Sequence, residues 1–154
     1  MSFERDLHRG KIGEELAKKI FRQRGIEVKD VSDSEQYQKK DIDLIAGDGI
    51  TYEVKTDYRY SQTGNLALEI KVSTSLGERD GWLYGTDAER IIFVNPAKMN
   101  GIVIIDTAEL RSLVETGALR TAYCYDSPTK TVELRLLPYK EYEDAFEKMA
   151  LRQE

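Results

Sequence analysis

Asp41, Asp43, Glu53 and Lys55 stand among Ile, Leu, Val and Tyr in the stretch DIDLIAGDGITYEVK, residues 41–55. Carboxylates brought together this way offer hard oxygen ligands, the donor type that suits Mg²⁺ or Mn²⁺. Whether they meet depends on register. A two-residue Asp48-Gly49 turn would set Asp43 opposite Val54 and mix acids with the core. A three-residue turn, Gly47-Asp48-Gly49, with Gly49 in the left-handed position of a bulge, pairs Ala46 with Ile50, Leu44 with Tyr52 and Ile42 with Val54. That register separates the faces: Asp43 comes opposite Glu53, and Asp41 opposite Lys55. Carboxylates directly opposed across a sheet repel unless a cation neutralises them. The competing reading is an exposed hairpin whose charges form weak surface ion pairs.

Elements that could hold this hairpin flank it. In KIGEELAKKIFRQRG, residues 11–25, Ile12, Leu16 and Ile20 repeat every four positions with Ala17 and Phe21 beside them, and Gly25 ends the helix. On that helix Glu14 falls next to Phe21 at the edge of the apolar stripe, while Glu15 turns further towards solvent. IEVKDV reads as a short strand and SDSEQYQKK as a polar loop. After the hairpin, NLALEIKVS reads as a further strand, and TSLGERDGWLYGTDAE as loop with one or two helical turns. RIIFVN and GIVIID are buried strands joined by a turn at PAKM. TAELRSLVETG is a helix capped by Thr107. ALRTAYCY and KTVELRLL flank a DSPT turn, and an amphipathic helix is expected to finish the chain.

Composition narrows the chemistry. The 154 residues suit one domain, here taken as 1–154, and the 40% apolar and 33% charged content is that of an ordered soluble protein. No stretch is apolar enough to span a membrane, and the charged N-terminus does not resemble a signal peptide, so a cytoplasmic location is expected. With one cysteine, Cys124, and one histidine, His8, an internal disulfide is impossible and a zinc site of His and Cys is disfavoured. A metal would be held by carboxylates. The net charge of −5 argues against coating nucleic acid by bulk electrostatics. Residues 9–59 are nonetheless balanced, with eleven acids and eleven bases, so engaging several acids with a metal would leave a basic surround.

Asp43-Leu-Ile-Ala, a glycine turn and Glu53-Val-Lys55 at the end of an apolar strand resemble the core of the PD-(D/E)XK nuclease superfamily. Holliday-junction resolvases and many phage or restriction endonucleases belong to it. Gly13-Glu14-Glu15-Leu-Ala resembles the family's first helix, which supplies a further glutamate. The order of helix, hairpin, third strand, connection and fourth strand over about residues 10–95 fits too, with NLALEIKVS as the third strand. Two departures stand out: Ile42 replaces the nominal proline, and the helix usually following the third strand is hard to see between Leu76 and Thr86.

The resemblance implies an α/β fold with a restriction-endonuclease-like αβββαβ core, a central mixed sheet and flanking helices. It implies a Mg²⁺-dependent deoxyribonuclease, with Mn²⁺ as the alternative ion and branched or phage DNA as candidate substrates. Glu14, Asp43, Glu53 and the Val54 carbonyl would hold the metal. Lys55 would orient or deprotonate the attacking water, against the plainer role of pairing with Asp41. Tyr58, Arg59 and Tyr60 follow directly and are candidates for phosphate contact or base stacking, or else form a solvated loop. A homodimer is left open. Glu69 and Lys71 repeat the E-x-K spacing without a preceding Asp hairpin. Trp82 reads as a core or cap residue, and His8 and Cys124 as structural. The alternative is a non-catalytic DNA- or protein-binding module on the same fold.

Overall fold

A computed structural model describes residues 3–57, 60–94 and 100–153, and of residues 3–9, 61 and 126 the backbone alone. Its elements run α1 (Phe3–Gln23), β1 (Val28–Asp30), α2 (Glu35–Gln38), β2 (Leu44–Ala46), β3 (Thr51–Thr56), α3 (Tyr60–Thr63), β4 (Asn65–Thr74) and β5 (Gly77–Asp80). Then follow α4 (Trp82–Gly85), β6 (Arg90–Val94), β7 (Gly101–Asp106), α5 (Thr107–Thr116), β8 (Arg120–Ser127), β9 (Lys130–Pro138), α6 (Tyr139–Tyr142) and β10 (Glu147–Ala150).

Two sheets divide the strands. The first has the order β1-β2-β3-β6-β7-β10 and the second β5-β4-β9-β8. The first is mixed: β3 and β6 are parallel and the other pairs antiparallel. Alternation along its strands gives two buried faces. Leu16, Ala17, Ile20 and Phe21 of α1 pack on Tyr52, Ile92, Val94, Ile102 and Ile104. On the opposite face Ile91, Phe93 and Ile105 meet Leu66, Leu68 and Leu137 of the second sheet, with Leu83 and Leu110. A strand buried on both faces reads as an unbroken apolar run, as RIIFV does.

The helix α1 extends well before Lys11, and Gly25, at φ +72, carries the chain away from its end. NLALEIKVS lies in the second sheet, so the strand expected third in the core is β4 of a separate layer, and the parallel partner of β3 is β6. The segment from Leu76 to Thr86 holds a strand as well as a turn of helix, because Gly77 at φ +124 closes a hairpin between β4 and β5. The expected final helix is reduced to α6 and a 3-10 turn at Glu143–Ala145. After it, residues 147–150 pair with the otherwise open edge of β7, and Phe146 is drawn into the core. Asp106 is the cap position of α5, and the Thr107 hydroxyl donates to the Ala88 carbonyl at 2.7 Å. The expected turn at PAKM lies outside the described residues.

Candidate active site

The hairpin of β2 and β3 adopts the three-residue turn. Gly49 has φ +91, its N–H donates to the Ala46 carbonyl at 2.9 Å, and Leu44 opposes Tyr52. Glycine is suited there because a side chain would be strained at positive φ. The register therefore carries Asp43 towards Glu53. Asp43 sits just before β2; its N–H donates to the Tyr52 carbonyl at 2.8 Å, and its Oδ2 accepts the Val54 N–H at 2.8 Å. The carboxylate thus occupies a place in the ladder that a main-chain carbonyl would otherwise fill.

Ladder pairing ends at that point, and this corrects the expected position of Asp41. Asp41 has φ +58 and belongs to the turn that leaves α2, while Ile42 drops into a small cluster with Val31 and Ala88. Lys55 pairs with Glu53 instead, Nζ to Oε1 at 2.7 Å. Asp41 still contributes negative charge near Glu53.

Glu53 is 3% exposed, which removes the reading of the hairpin as a solvated surface ribbon. Its carboxyl is raised above the ordinary range, first by burial, against the pull of Lys55. Asp43 is pushed up to about 6, again first by burial and then by the charge of Glu53, with the Val54 N–H opposing. Burying charge costs heavily unless it is compensated, and each carboxylate here is compensated only in part. Glu53 Oε2 is buried with no hydrogen-bond partner among the described residues.

Glu14 reaches the site from the other layer. Gly13 allows this approach: a Cβ there would lie 2.1 Å from the Thr56 hydroxyl oxygen on β3. The next residue, Glu14, has a side chain only 12% exposed, whereas that of Glu15 is 64% exposed and pairs with Lys18. Burial and the charge of Asp43 raise the Glu14 carboxyl, opposed by Lys11 at 3.6 Å. Glu14 Oε2 is also buried without a hydrogen-bond partner among the described residues. Asp43 is therefore the electrostatic link between Glu14 on α1 and Glu53 on β3. Among the described residues, no group of three or more His, Cys, Asp or Glu is gathered tightly enough to hold a metal ion. Lys55 on Glu53 and Lys11 near Glu14 occupy part of the coordination capacity.

Several neighbours escape a sequence reading. Lys11 donates to Ser32 and Asp33 at the mouth of the site, and Asp30 is tied to Lys18 and Ser32. Burial raises the Asp30 carboxyl, but those partners outweigh it and hold it at about 2. The i, i+3 spacing of Lys11 and Glu14 was the available signal. The Lys55 Nζ also lies 4.9 Å from the Trp82 ring centroid. Tyr58 and Arg59 lie outside the described residues. Tyr60 begins α3 and packs edge-on against Tyr139, with ring centroids 5.6 Å apart. Glu69 and Lys71 flank a register shift in β4, so their two-residue spacing does not give one regular face; Lys71 pairs with Glu78. Cys124 is a half-buried free thiol, and His8 lies on α1.

No helix among the described residues is long and apolar enough to cross a membrane. No family model and no curated protein matches the sequence. Among solved structures the chain is similar to a bacterial homing endonuclease, with 15% identity and a TM-score of 0.50 over 68% of this chain and 70% of that one. At that identity the likeness is one of fold, and the fold is nuclease-like: mixed α/β, with a central mixed sheet and helices.

Proposed function

We propose that this chain is a divalent-metal-dependent DNA endonuclease of the PD-(D/E)XK type, hydrolysing phosphodiester bonds with Asp43, Glu53, Lys55 and Glu14 at its centre. The observation that carries the reading is the buried Glu53 between the half-buried Asp43 and Lys55, on a hairpin whose second strand, β3, runs parallel to β6, within a nuclease-like fold. The neighbouring structure is that of a homing endonuclease, which favours DNA as the partner. Branched or phage DNA are candidate substrates within that class.

The donor types suit a hard divalent cation, although the three carboxylates would have to draw closer than they lie among the described residues to hold one. Two buried carboxylate oxygens, Glu14 Oε2 and Glu53 Oε2, have no hydrogen-bond partner among the described residues, and burial leaves Asp43 and Glu53 short of compensating charge. Asp43, Glu53 and Glu14, with the Val54 carbonyl, would hold Mg²⁺ or Mn²⁺, oxygen-preferring ions that tolerate few protein ligands. Such an ion supplies Lewis acidity at the phosphoryl oxygen and at water.

The remaining work belongs to the chain. Lys55 orients the attacking water or accepts its proton, and its charge offsets the negative charge that develops on the phosphoryl oxygens. As the water oxygen bonds to phosphorus, the ester P–O bond breaks and the departing oxygen takes up a proton. Asp43, fixed by the Val54 N–H, holds the two strands at a constant spacing while this happens. Glu53 competes with water for Lys55, so the ammonium would orient water only where that ion pair loosens.

The direct test is a panel of supercoiled, nicked, branched and single-stranded DNA, incubated with Mg²⁺, Mn²⁺ or EDTA. Metal-dependent cleavage of at least one member is expected. Binding without cleavage on every member would favour the non-catalytic module instead. Two further outcomes are expected. Titrating Mg²⁺ or Mn²⁺ should raise the melting temperature, by about 2.7 kcal/mol of added stability at a hundredfold excess over Kd, and an unchanged midpoint would argue against a cation site. Glu14→Gln should slow cleavage far more than Glu15→Gln, since only Glu14 faces Asp43; equal effects would remove Glu14 from the site.

A further inference from the structure

We propose that Trp82 is a positioning residue for Lys55, its indole face holding the lysine ammonium in the site when Glu53 is engaged elsewhere. The consequence for cleavage rests on the nuclease reading above; the contact itself does not.

The placement is built in. Gly81 donates its N–H to the Ile70 carbonyl at 2.8 Å, and a Cβ there would lie 2.4 Å from the Glu69 carbonyl oxygen, so a residue with a side chain could not bring the backbone this close. The short helix that follows is anchored by the fully buried Leu83. Between these fixed points Trp82 leans edge-on against Phe93, with ring centroids 6.0 Å apart. Phe93 is the register partner of Lys55 on the adjacent parallel strand. Trp82 therefore roofs two neighbouring strands, one side chain aromatic and the other cationic.

Lys55 needs such a roof. Its four-carbon stem is flexible and its side chain 31% exposed, and it pairs with Glu53 at 2.7 Å. When Glu53 turns towards a cation, that partner is lost and the ammonium is free to swing into solvent. An indole face attracts an ammonium without neutralising it or consuming a proton, so Trp82 restrains Lys55 and leaves it able to act on water. A carboxylate in the same place would compete for the charge.

Trp82 is the single tryptophan of the sequence, which makes the contact directly readable. In the metal-free protein, Lys55→Met should shift or rescale the tryptophan emission, and Lys19→Met, a change on the exposed face of α1, should not. On supercoiled plasmid DNA with Mg²⁺, Trp82→Leu should lower kcat roughly tenfold, the scale of a desolvated cation–π contact, with KM unchanged. Trp82→Phe should restore most of that loss. Unchanged emission in Lys55→Met, wild-type turnover in Trp82→Leu, or an equal loss in the Phe and Leu variants would each overturn the proposal. If Trp82→Leu does not fold, the Phe variant and the emission of Lys55→Met still decide it. Should the wild-type protein cleave no DNA, the nuclease reading fails while the emission comparison alone tests whether Trp82 holds Lys55.

Discussion

Asp43→Asn and Glu53→Gln are each expected to abolish metal-dependent cleavage while making the metal-free protein more stable at neutral pH. The two effects have one cause. Both carboxyls are raised by burial, and the charge of Glu53 adds to the shift at Asp43. A carboxyl at about 6 in the folded chain, against about 3.9 when unfolded, binds more protons folded than unfolded between those values. Stability contributed by the neutral form is complete below the unfolded value and is lost as pH rises through about 6. Wild-type protein in EDTA should therefore melt at a lower temperature at pH 7.5 than at pH 5, from this group. Asp43→Asn should flatten that slope because the amide remains neutral and its Oδ1 can still accept the Val54 N–H. Addition of Mg²⁺ should reverse the order, stabilising wild type and leaving both variants unmoved. Normal cleavage by either variant would remove these residues from the active centre, and a lower melting point for both in EDTA would show that their charges are better compensated than their burial implies.

Much of this site was legible because a sheet has only two faces. Once Gly47-Asp48-Gly49 was read as a three-residue turn, Leu44 had to oppose Tyr52, and Asp43 had to approach Glu53. The helical phase of α1 likewise separated Glu14 from Glu15, since the apolar stripe leaves few orientations open. What failed was long-range. Asp41 carries the same local alternation as Asp43, but the turn after α2 needs a left-handed residue there, and Ile42 finds its cluster with Val31 and Ala88. Nor does periodicity say which sheet a strand joins: NLALEIKVS pairs with β9, more than fifty residues later, and leaves β3 to take β6 as its parallel neighbour. The C-terminal segment is polar enough for an exposed helix, yet the unfilled edge of β7 offers main-chain partners that outweigh helix propensity. Trp82 was invisible for the same reason. Its role depends on Gly81 crossing Glu69, a contact between segments that no local pattern encodes.

Lys55→Arg separates charge from position. If Lys55 served only to balance the buried Glu53, arginine would replace it with little loss, since either cation neutralises a carboxylate. The indole of Trp82 would tolerate the change as well, because guanidinium groups stack on aromatic faces at least as readily as ammonium groups. Net charge, the contact to Glu53 and the contact to Trp82 can therefore all survive. A single ammonium at the end of a slender stem cannot be copied so easily. Guanidinium is planar, spreads its donors over a fixed fork and does not release a proton near neutral pH. We expect Lys55→Arg to bind DNA and to keep the divalent-cation shift in melting temperature, while the single-turnover cleavage rate falls by at least ~100-fold, the scale for losing a positioned proton-transfer or charge-stabilising group. Lys55→Met should match or exceed that loss and should also unfold more easily, because Glu53, at 3% exposure, is left buried without its cation. A near-wild-type rate for the arginine variant would assign Lys55 to charge balance alone and leave the activation of water to another group.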